Sequence, residues 1–148
     1  MRLTRTVLSI ALAALTVFAP SGCSRAAVEY IPEGGVYTLA DAQERARSLD
    51  VRGADAIETD KAASERVDRL VYLRRQDDQA AALADALTSG FPTENASVPV
   101  LAEHATVDGR PVWLIVELWG EPGAKLTHRR LWLLDDQTLE IVNSSSFR

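Results

Sequence analysis

Two histidines and a glutamate are the side chains whose chemistry would suit catalysis. An imidazole gains or loses a proton near neutral pH, and a carboxylate beside it can orient the ring or share the proton. His104, Glu117 and His128 all lie in the same β-favouring third of the chain. If strand pairing brings them together, they predict a hydrolase that uses general acid–base chemistry.

Other catalytic and cofactor patterns are missing from the sequence. Neither histidine stands in a His-Glu-x-x-His helix or in a cluster of cysteines and histidines, and there is no Gly-x-Ser-x-Gly elbow or phosphate-binding glycine loop. The pairs Asp77-Asp78 and Asp135-Asp136 are better explained as helix-cap and turn residues than as glycosidase carboxylates. The sequence therefore favours a protein that is not an enzyme and that holds no metal or cofactor, with a hydrolase as the alternative.

The run from Val112 to Trp119, VWLIVELW, is the strongest β-strand signal outside the N-terminal segment, and alternation divides it into two faces. Asp108-Gly109 predicts a hairpin turn before it. The predicted cross-strand pairs are Val107 with Arg110, His104 with Trp113, Ala102 with Ile115, Trp119 with His128, Glu117 with Arg130, Ile115 with Trp132, Leu134 with Leu139 and Trp132 with Ile141. One face is then aliphatic, and the other collects all three tryptophans and both histidines.

Tryptophan and arginine are enriched at recognition surfaces, so the second face predicts a site for a protein partner. The residues assigned to it are His104, Trp113, Glu117, Trp119, His128, Arg130 and Trp132. Two alternatives remain open. Helices could cover this face as well, which would make the tryptophans core residues, or an apolar ligand could be carried in a cavity between helices and sheet.

The N-terminal residues have the three-part layout of a secretory signal. Arg2 and Arg5 precede an apolar stretch of about 13 residues, which is too short for a mature membrane span of about 20 residues. Residues 1–22 are therefore predicted to be a signal peptide. The chain from Cys23 onward has 14 basic and 21 acidic residues, a formal charge of −7, which argues against nucleic-acid binding.

Cys23 is the only cysteine and follows the run Ala-Pro-Ser-Gly. This run resembles the lipobox of bacterial lipoproteins, although Pro20 stands where that family prefers an aliphatic residue. The resemblance implies that Cys23 is lipidated and anchors the protein to the cell membrane or the outer membrane, on the extracytoplasmic side. Residues 23–37 would then be a lipid-anchored tether. The competing expectation is cleavage after Ala19, Gly22 or Ala27, with Cys23 removed or left as a free thiol.

Residues 38–148 are predicted to form one α+β domain, in which two or three helices pack on one face of a four-stranded antiparallel meander sheet. Thr38 is the expected cap of the first helix, and Asp77 or Asp78 the cap of the last. Residues 60–75 fit a helix with Arg69 facing solvent, or an edge strand. The runs from Tyr37 to Ala46 and from Leu131 to Val142 resemble the two ends of PepSY-type secreted modules, which implies a noncatalytic binding or regulatory role.

Overall fold

A computed structural model describes residues 27–51, 53–91 and 96–148, so the signal-peptide assignment and Cys23 lie outside the described residues. The described chain forms three α-helices, one short 3-10 helix and six strands. In chain order they are β1 (Glu29–Ile31), β2 (Val36–Tyr37), α1 (Leu39–Ser48), the 3-10 helix (Ala54–Ala56), α2 (Ala62–Arg74), α3 (Asp78–Ser89), β3 (Ala96–Val107), β4 (Arg110–Gly120), β5 (His128–Asp135) and β6 (Ile141–Phe147). None of the helices in this part of the chain is both long and apolar enough to cross a bilayer.

The sheet is mixed, so the prediction of a four-stranded antiparallel meander is wrong. Strands β3 to β6 do form an antiparallel meander, but β1 and β2 both pair with β3 in parallel. These two strands come from the segment that was assigned to the tether. Pro32, Gly34 and Gly35 break the strand pattern there, yet Gly34 lets the backbone approach closely enough for its N–H to donate to the His104 carbonyl at 2.8 Å.

Strand registers follow the predicted pairs through the first two hairpins and depart from them in the third. His104 lies opposite Trp113, and Glu117 lies opposite Arg130, as predicted. In the last hairpin Leu134 faces Ile141 rather than Leu139, and a bulge beside Leu133 then puts Ser144 opposite Trp132. The reason is the length of the turn, because Leu139 adopts a left-handed conformation with φ of 58° inside the turn.

All three α-helices begin or run where the sequence pattern places them. Thr38 and Asp41 form a reciprocal capping box at the start of α1, and the Asp77 side chain accepts a hydrogen bond from the Ala80 N–H at the start of α3. The ambiguous region 60–75 is helix α2, because Leu70 and Leu73 form a buried stripe at helical spacing. The helix interpretation of this region is confirmed.

Helices cover both faces of the sheet, and the prediction that they pack on one face is wrong. Helix α1 lies on the aliphatic face, where Ala42 and Ala46 are fully buried against β-strand residues such as Leu114. The hairpin of α2 and α3 lies on the face that carries the tryptophans. The physical reason is that this second face is also largely apolar, so leaving it in water would be unfavourable.

Asp135 fixes the turn between β5 and β6. Its carboxylate accepts hydrogen bonds from the Gln137 and Thr138 backbone N–H groups, each at 3.0 Å, and from Arg110 at 2.6 Å. The Arg110 hydrogen bond, followed by the two backbone bonds, lowers the pKa of Asp135 from 3.8 to about 2. A pKa lowered by folding stabilises the folded state above the ordinary pKa, and that contribution is lost as the pH falls toward 2.

Candidate functional site

The tryptophan-bearing face is an interior layer rather than an open surface. The exposed fractions are 3% for Trp113, 2% for Glu117, 5% for Trp119 and 6% for Trp132. Phe91, just beyond α3, meets the Trp132 ring edge to face at 5.1 Å. The α2–α3 hairpin covers Trp113 and Trp132, and Trp119 lies beneath the Arg130 and Arg148 side chains, so an exposed tryptophan site is corrected to a covered one.

Glu117 pairs with α2 instead of with the strand neighbour that the register gives it. The Arg66 Nη1 donates to Glu117 Oε1 at 2.5 Å, and the indole Nε1 of Trp132 donates to Glu117 Oε2 at 3.0 Å. The Arg66 Nη2 also donates to the Leu87 carbonyl at 3.0 Å. This charged network ties α2, the end of α3, β4 and β5 together inside the core, so Glu117 has a structural explanation.

The two histidines lie on β3 and β5, beside opposite ends of β4. The His104 ring contacts Trp113 at 5.1 Å, and the His128 ring contacts Trp119 at 4.6 Å. These two tryptophans are six residues apart on one strand, which separates them by roughly 20 Å. The structure therefore does not bring His104, Glu117 and His128 together, and no group of three metal-binding side chains occurs among the described residues.

His104 lines a small pocket together with Trp113, which lies opposite it on β4. Its Nε2 lies 3.6 Å from the Asp136 carboxylate, and a cavity of about 160 Å³ opens between this pair, Trp113 and the start of α3. The layer between hairpin and sheet is otherwise filled by large side chains, since Leu83, Leu87 and Ile115 are fully buried. In the described part of the chain this layer is a packed core and not a chamber for an apolar ligand.

Comparison with known proteins gives no relative from which a function could be transferred. No protein family, curated protein or solved structure matches this chain. The resemblances to bacterial lipoproteins and to PepSY-type modules therefore stay predictions from the sequence, and the candidate sites have to be read from the geometry of the chain itself.

Strand β6 forms one edge of the sheet. Strand β6 pairs with β5 and with no other strand of the described chain. Most of its residues are exposed, including Ile141 at 40% and Val142 at 37%. The strand reads IVNSSSF and contains none of the prolines or charged residues that usually protect an edge from pairing with another chain.

Four arginines surround the C-terminal end of β6. Arg130 lies over the Trp119 and Trp132 rings at 5.2 and 5.3 Å and donates to Ser146, while Arg47 lies over the Phe147 ring at 4.3 Å. Arg129 and Arg148 complete the cluster, and together with Arg47 they border a cavity of about 440 Å³. We call β6 and these four arginines, Arg47, Arg129, Arg130 and Arg148, the β6 edge surface.

A second site lies around Arg69 of α2, near the edge of the sheet that is opposite β6. The prediction that Arg69 faces solvent is wrong, because its side chain is 3% exposed. It lines a cavity of about 330 Å³ beside Ala27, where the described chain begins. The signal that could have found it is spacing, since Arg69 stands one turn before Leu73 on the buried stripe of α2.

Proposed function

We propose that this protein is a noncatalytic interaction module, anchored outside the cytoplasmic membrane by a lipid on Cys23, that binds an acidic extended segment of a protein partner at the β6 edge surface. The open edge strand with arginines at its end is the observation that supports the proposal. Of the residues assigned to partner binding, His128 and Arg130 are half-buried and border this surface.

The anchor rests on the signal-like leader and on the position of Cys23. Ala27 is four residues from Cys23, and a fully extended chain of that length spans at most roughly 14 Å. A lipid on Cys23 would hold the domain close to the bilayer. Mass spectrometry of the mature N-terminus tests the anchor: we expect a diacylated or triacylated Cys23, and a mature N-terminus at any other residue, or a Cys23 without acyl chains, would contradict it.

We place the partner's backbone along β6, because the N–H and C=O groups on one side of this strand pair with no other strand of the described chain. An extended segment can satisfy these groups by adding a strand to the sheet, and side chains on alternate positions then supply specificity. The exposed side chains of Ile141 and Val142 would be partly covered in such a complex. Strand addition needs little rearrangement, because the edge is already formed.

We infer the charge of the partner segment from the difference between the positive charge of the β6 edge surface and the negative formal charge of the whole protein. The chain from Cys23 onward has a formal charge of −7, yet four arginines gather at one end of β6. Among the described residues, Glu44 lies 3.5 Å from Arg47 and Glu121 lies 3.7 Å from Arg148, and Arg129 donates to carbonyls at the end of α1, so two carboxylates and this helix end face four guanidinium groups. The surplus of positive charge favours an acidic segment and should speed its association.

Photo-crosslinking in cells that make this protein tests the proposal. A photoreactive residue at Ser146 should give one covalent adduct with a protein partner, whereas the same residue at Val67, which is 61% exposed on α2, should not give it. The double variant Arg130→Glu and Arg148→Glu should lower the yield at Ser146 at least fivefold. The matched charge reversal Lys61→Glu and Arg74→Glu, on and beside α2, should leave the yield unchanged.

Three outcomes would contradict the β6 assignment. An equal yield of adduct from a photoreactive residue at Val67 would show that the contact is unspecific. An equal loss of yield at Ser146 in both charge-reversal variants would show that only the net charge of the protein matters. An adduct between two copies of this chain would identify β6 as a self-association edge. Purified partner should also bind more weakly as salt is raised, because exposed charges are screened.

A further inference from the structure

The side chains of β6 alternate between the two layers that flank the sheet. Ile141 lies opposite Leu134, which belongs to the core layer under the α2–α3 hairpin. Phe147 lies on the other side, where the guanidinium group of Arg47 from α1 covers its ring. A segment that pairs with the outer side of β6 follows the same alternation, because cross-strand neighbours share a face of the sheet. The surroundings of each partner side chain therefore follow from the β6 residue that it faces.

The arginines at the C-terminal end of β6 are divided between these two sides. Arg130 donates to the Ser146 hydroxyl at 3.1 Å on the side of the hairpin. Arg47 and Arg129 border the cavity beside Phe147 on the side of α1. Two successive residues of an added strand would face Phe147 and Ser146, one on each side of the sheet. Both can therefore be acidic, since each carboxylate has its own guanidinium partners.

A different cavity, here called the apolar cavity, borders the first residue of β6. Its volume is about 390 Å³, and it lies between the end of α3 and the turn that leads into β6. Its apolar lining consists of Ala86, Phe91, Leu139 and Ile141. Ile141 is 40% exposed although it lies on the side of the hairpin. A large apolar side chain in this cavity would bury that surface, which is favourable.

The charges around the apolar cavity oppose an acidic side chain there. The Glu140 carboxylate lines the cavity, and α3 ends beside it at Ser89, so the negative end of the helix dipole lies at its rim. The two ends of β6 are therefore different: guanidinium groups surround Phe147, and an apolar cavity with a negative rim borders Ile141. One segment that fits both ends has to be acidic at one end and apolar at the other.

The strand register sets the spacing between these two ends. Ser146 and Ile141 lie opposite Arg130 and Leu134, which are four residues apart on β5, because Val142 is the extra residue of the bulge. A regular strand on the outer side of β6 would likewise face Ser146 and Ile141 with residues four positions apart, over about 13 Å. Strands β3 to β6 are all antiparallel to their neighbours, and antiparallel pairs are the commoner kind, so an antiparallel direction is favoured.

We propose that the β6 edge surface binds a segment in which two consecutive acidic residues are followed, after three further residues, by a large apolar residue. The acidic pair faces Phe147 and Ser146, and the apolar residue faces Ile141 and enters the apolar cavity. This inference rests on the proposed binding of a strand at β6. It adds the order, the spacing and the chemistry of that strand.

A fluorescent peptide with blocked ends, Thr-Glu-Glu-Thr-Thr-Thr-Leu-Thr, tests the order and the spacing against the full chain in a nonionic detergent. Two control peptides have the same composition. One has the reversed sequence, and the other has leucine one position earlier, which turns it to the α1 side. Fluorescence anisotropy should show that each control binds about tenfold more weakly, because the leucine is then not buried. Amide hydrogen exchange of β6 should slow when the first peptide binds.

Variants of the protein test the apolar cavity separately from the arginines. Ile141→Ser should weaken binding of the first peptide about fivefold and should not change binding of a peptide with threonine in place of leucine. Arg47→Gln should weaken binding of both these peptides equally. Val67→Ser is the matched control, because Val67 is a 61% exposed apolar residue on α2, and it should change neither. Circular dichroism shows whether each variant is folded.

Several results would overturn the inference. Equal binding of the reversed or the shifted peptide would exclude the order or the spacing, and equal binding of the leucine and threonine peptides to wild type would exclude the apolar cavity, even if Ile141→Ser did not fold. The proposed function survives these results if Ser146 still crosslinks to a partner. Slower exchange in β1 instead of β6, or no binding of any peptide together with no adduct at Ser146, would overturn the inference and the proposed function together.

Discussion

Replacing Arg66 by methionine is expected to lower the free energy of unfolding by about 3 to 5 kcal/mol, the cost of breaking a buried ion pair from one side. The Glu117 side chain is 3% exposed, and Arg66 is 13% exposed. Methionine keeps much of the apolar stem but removes the donor at 2.5 Å, so the carboxylate would retain only the Trp132 indole as a side-chain donor. Urea unfolding, followed by circular dichroism, measures the loss.

The double variant Arg66→Met and Glu117→Gln is the control for this prediction. It removes both charges, so no charge is left buried without its partner, and glutamine can still accept the Trp132 hydrogen bond. We expect it to be more stable than Arg66→Met alone by about 1 kcal/mol or more. If the free energy of unfolding of Arg66→Met lies within about 1 kcal/mol of the wild-type value, Glu117 does not depend on Arg66, and the description of the core network is incorrect.

Trp132→Ala is expected to cost about 3 to 5 kcal/mol, the usual range for removing a buried tryptophan side chain. Trp132 is 6% exposed, packs edge to face against Phe91 and donates to Glu117. The substitution leaves a cavity under the α2–α3 hairpin and takes a donor from a buried carboxylate. Thermal and urea unfolding should both show the loss.

Two variants separate the causes of the Trp132 effect. Trp132→Phe keeps most of the ring and removes the N–H, so it should cost less than Trp132→Ala while still weakening the Glu117 network. Val67→Ala, on the exposed side of α2, should change the free energy of unfolding by less than about 0.5 kcal/mol. A Trp132→Ala protein as stable as wild type would mean that the indole lies in solvent, contrary to the structure.

These expectations change how tryptophan substitutions should be interpreted. On an open sheet face, loss of partner binding in Trp113→Ala or Trp132→Ala would locate a binding site. On a covered face, the same loss follows from a weakened core. A substitution of Arg148 avoids this ambiguity, because its side chain is exposed, whereas Arg130 lies over the Trp119 and Trp132 rings and its substitution needs an unfolding measurement beside it.

The local elements of this protein could be predicted from the sequence because their causes are local. Thr38 and Asp77 cap helices through contacts within three residues of themselves, and Asp108-Gly109 closes a hairpin through its own left-handed backbone. A tight turn also fixes the register of the strands that it joins, which is why His104 faces Trp113. The third register could not be predicted, because a bulge beside Leu133 depends on neighbouring strands.

What covers each face was decided only by the tertiary structure. Alternation in Val112 to Trp119 determines that one set of side chains is aliphatic and the other rich in tryptophan, but both sets are apolar enough to be buried. In the folded chain the α2–α3 hairpin lies on the tryptophan side. That placement buries Glu117 against Arg66 and leaves the β6 edge open.

The sequence by itself therefore determined α1 and α3, the first two hairpins and the two-faced central strand, and it predicts a leader whose single cysteine is an anchor. The tertiary structure alone decided that β1 and β2 join the sheet, that the tryptophans are core residues, and that Arg69 is buried against β3. The physical reason is that propensity and turn chemistry act over a few residues, whereas burial and hydrogen-bond satisfaction depend on segments far apart in the chain.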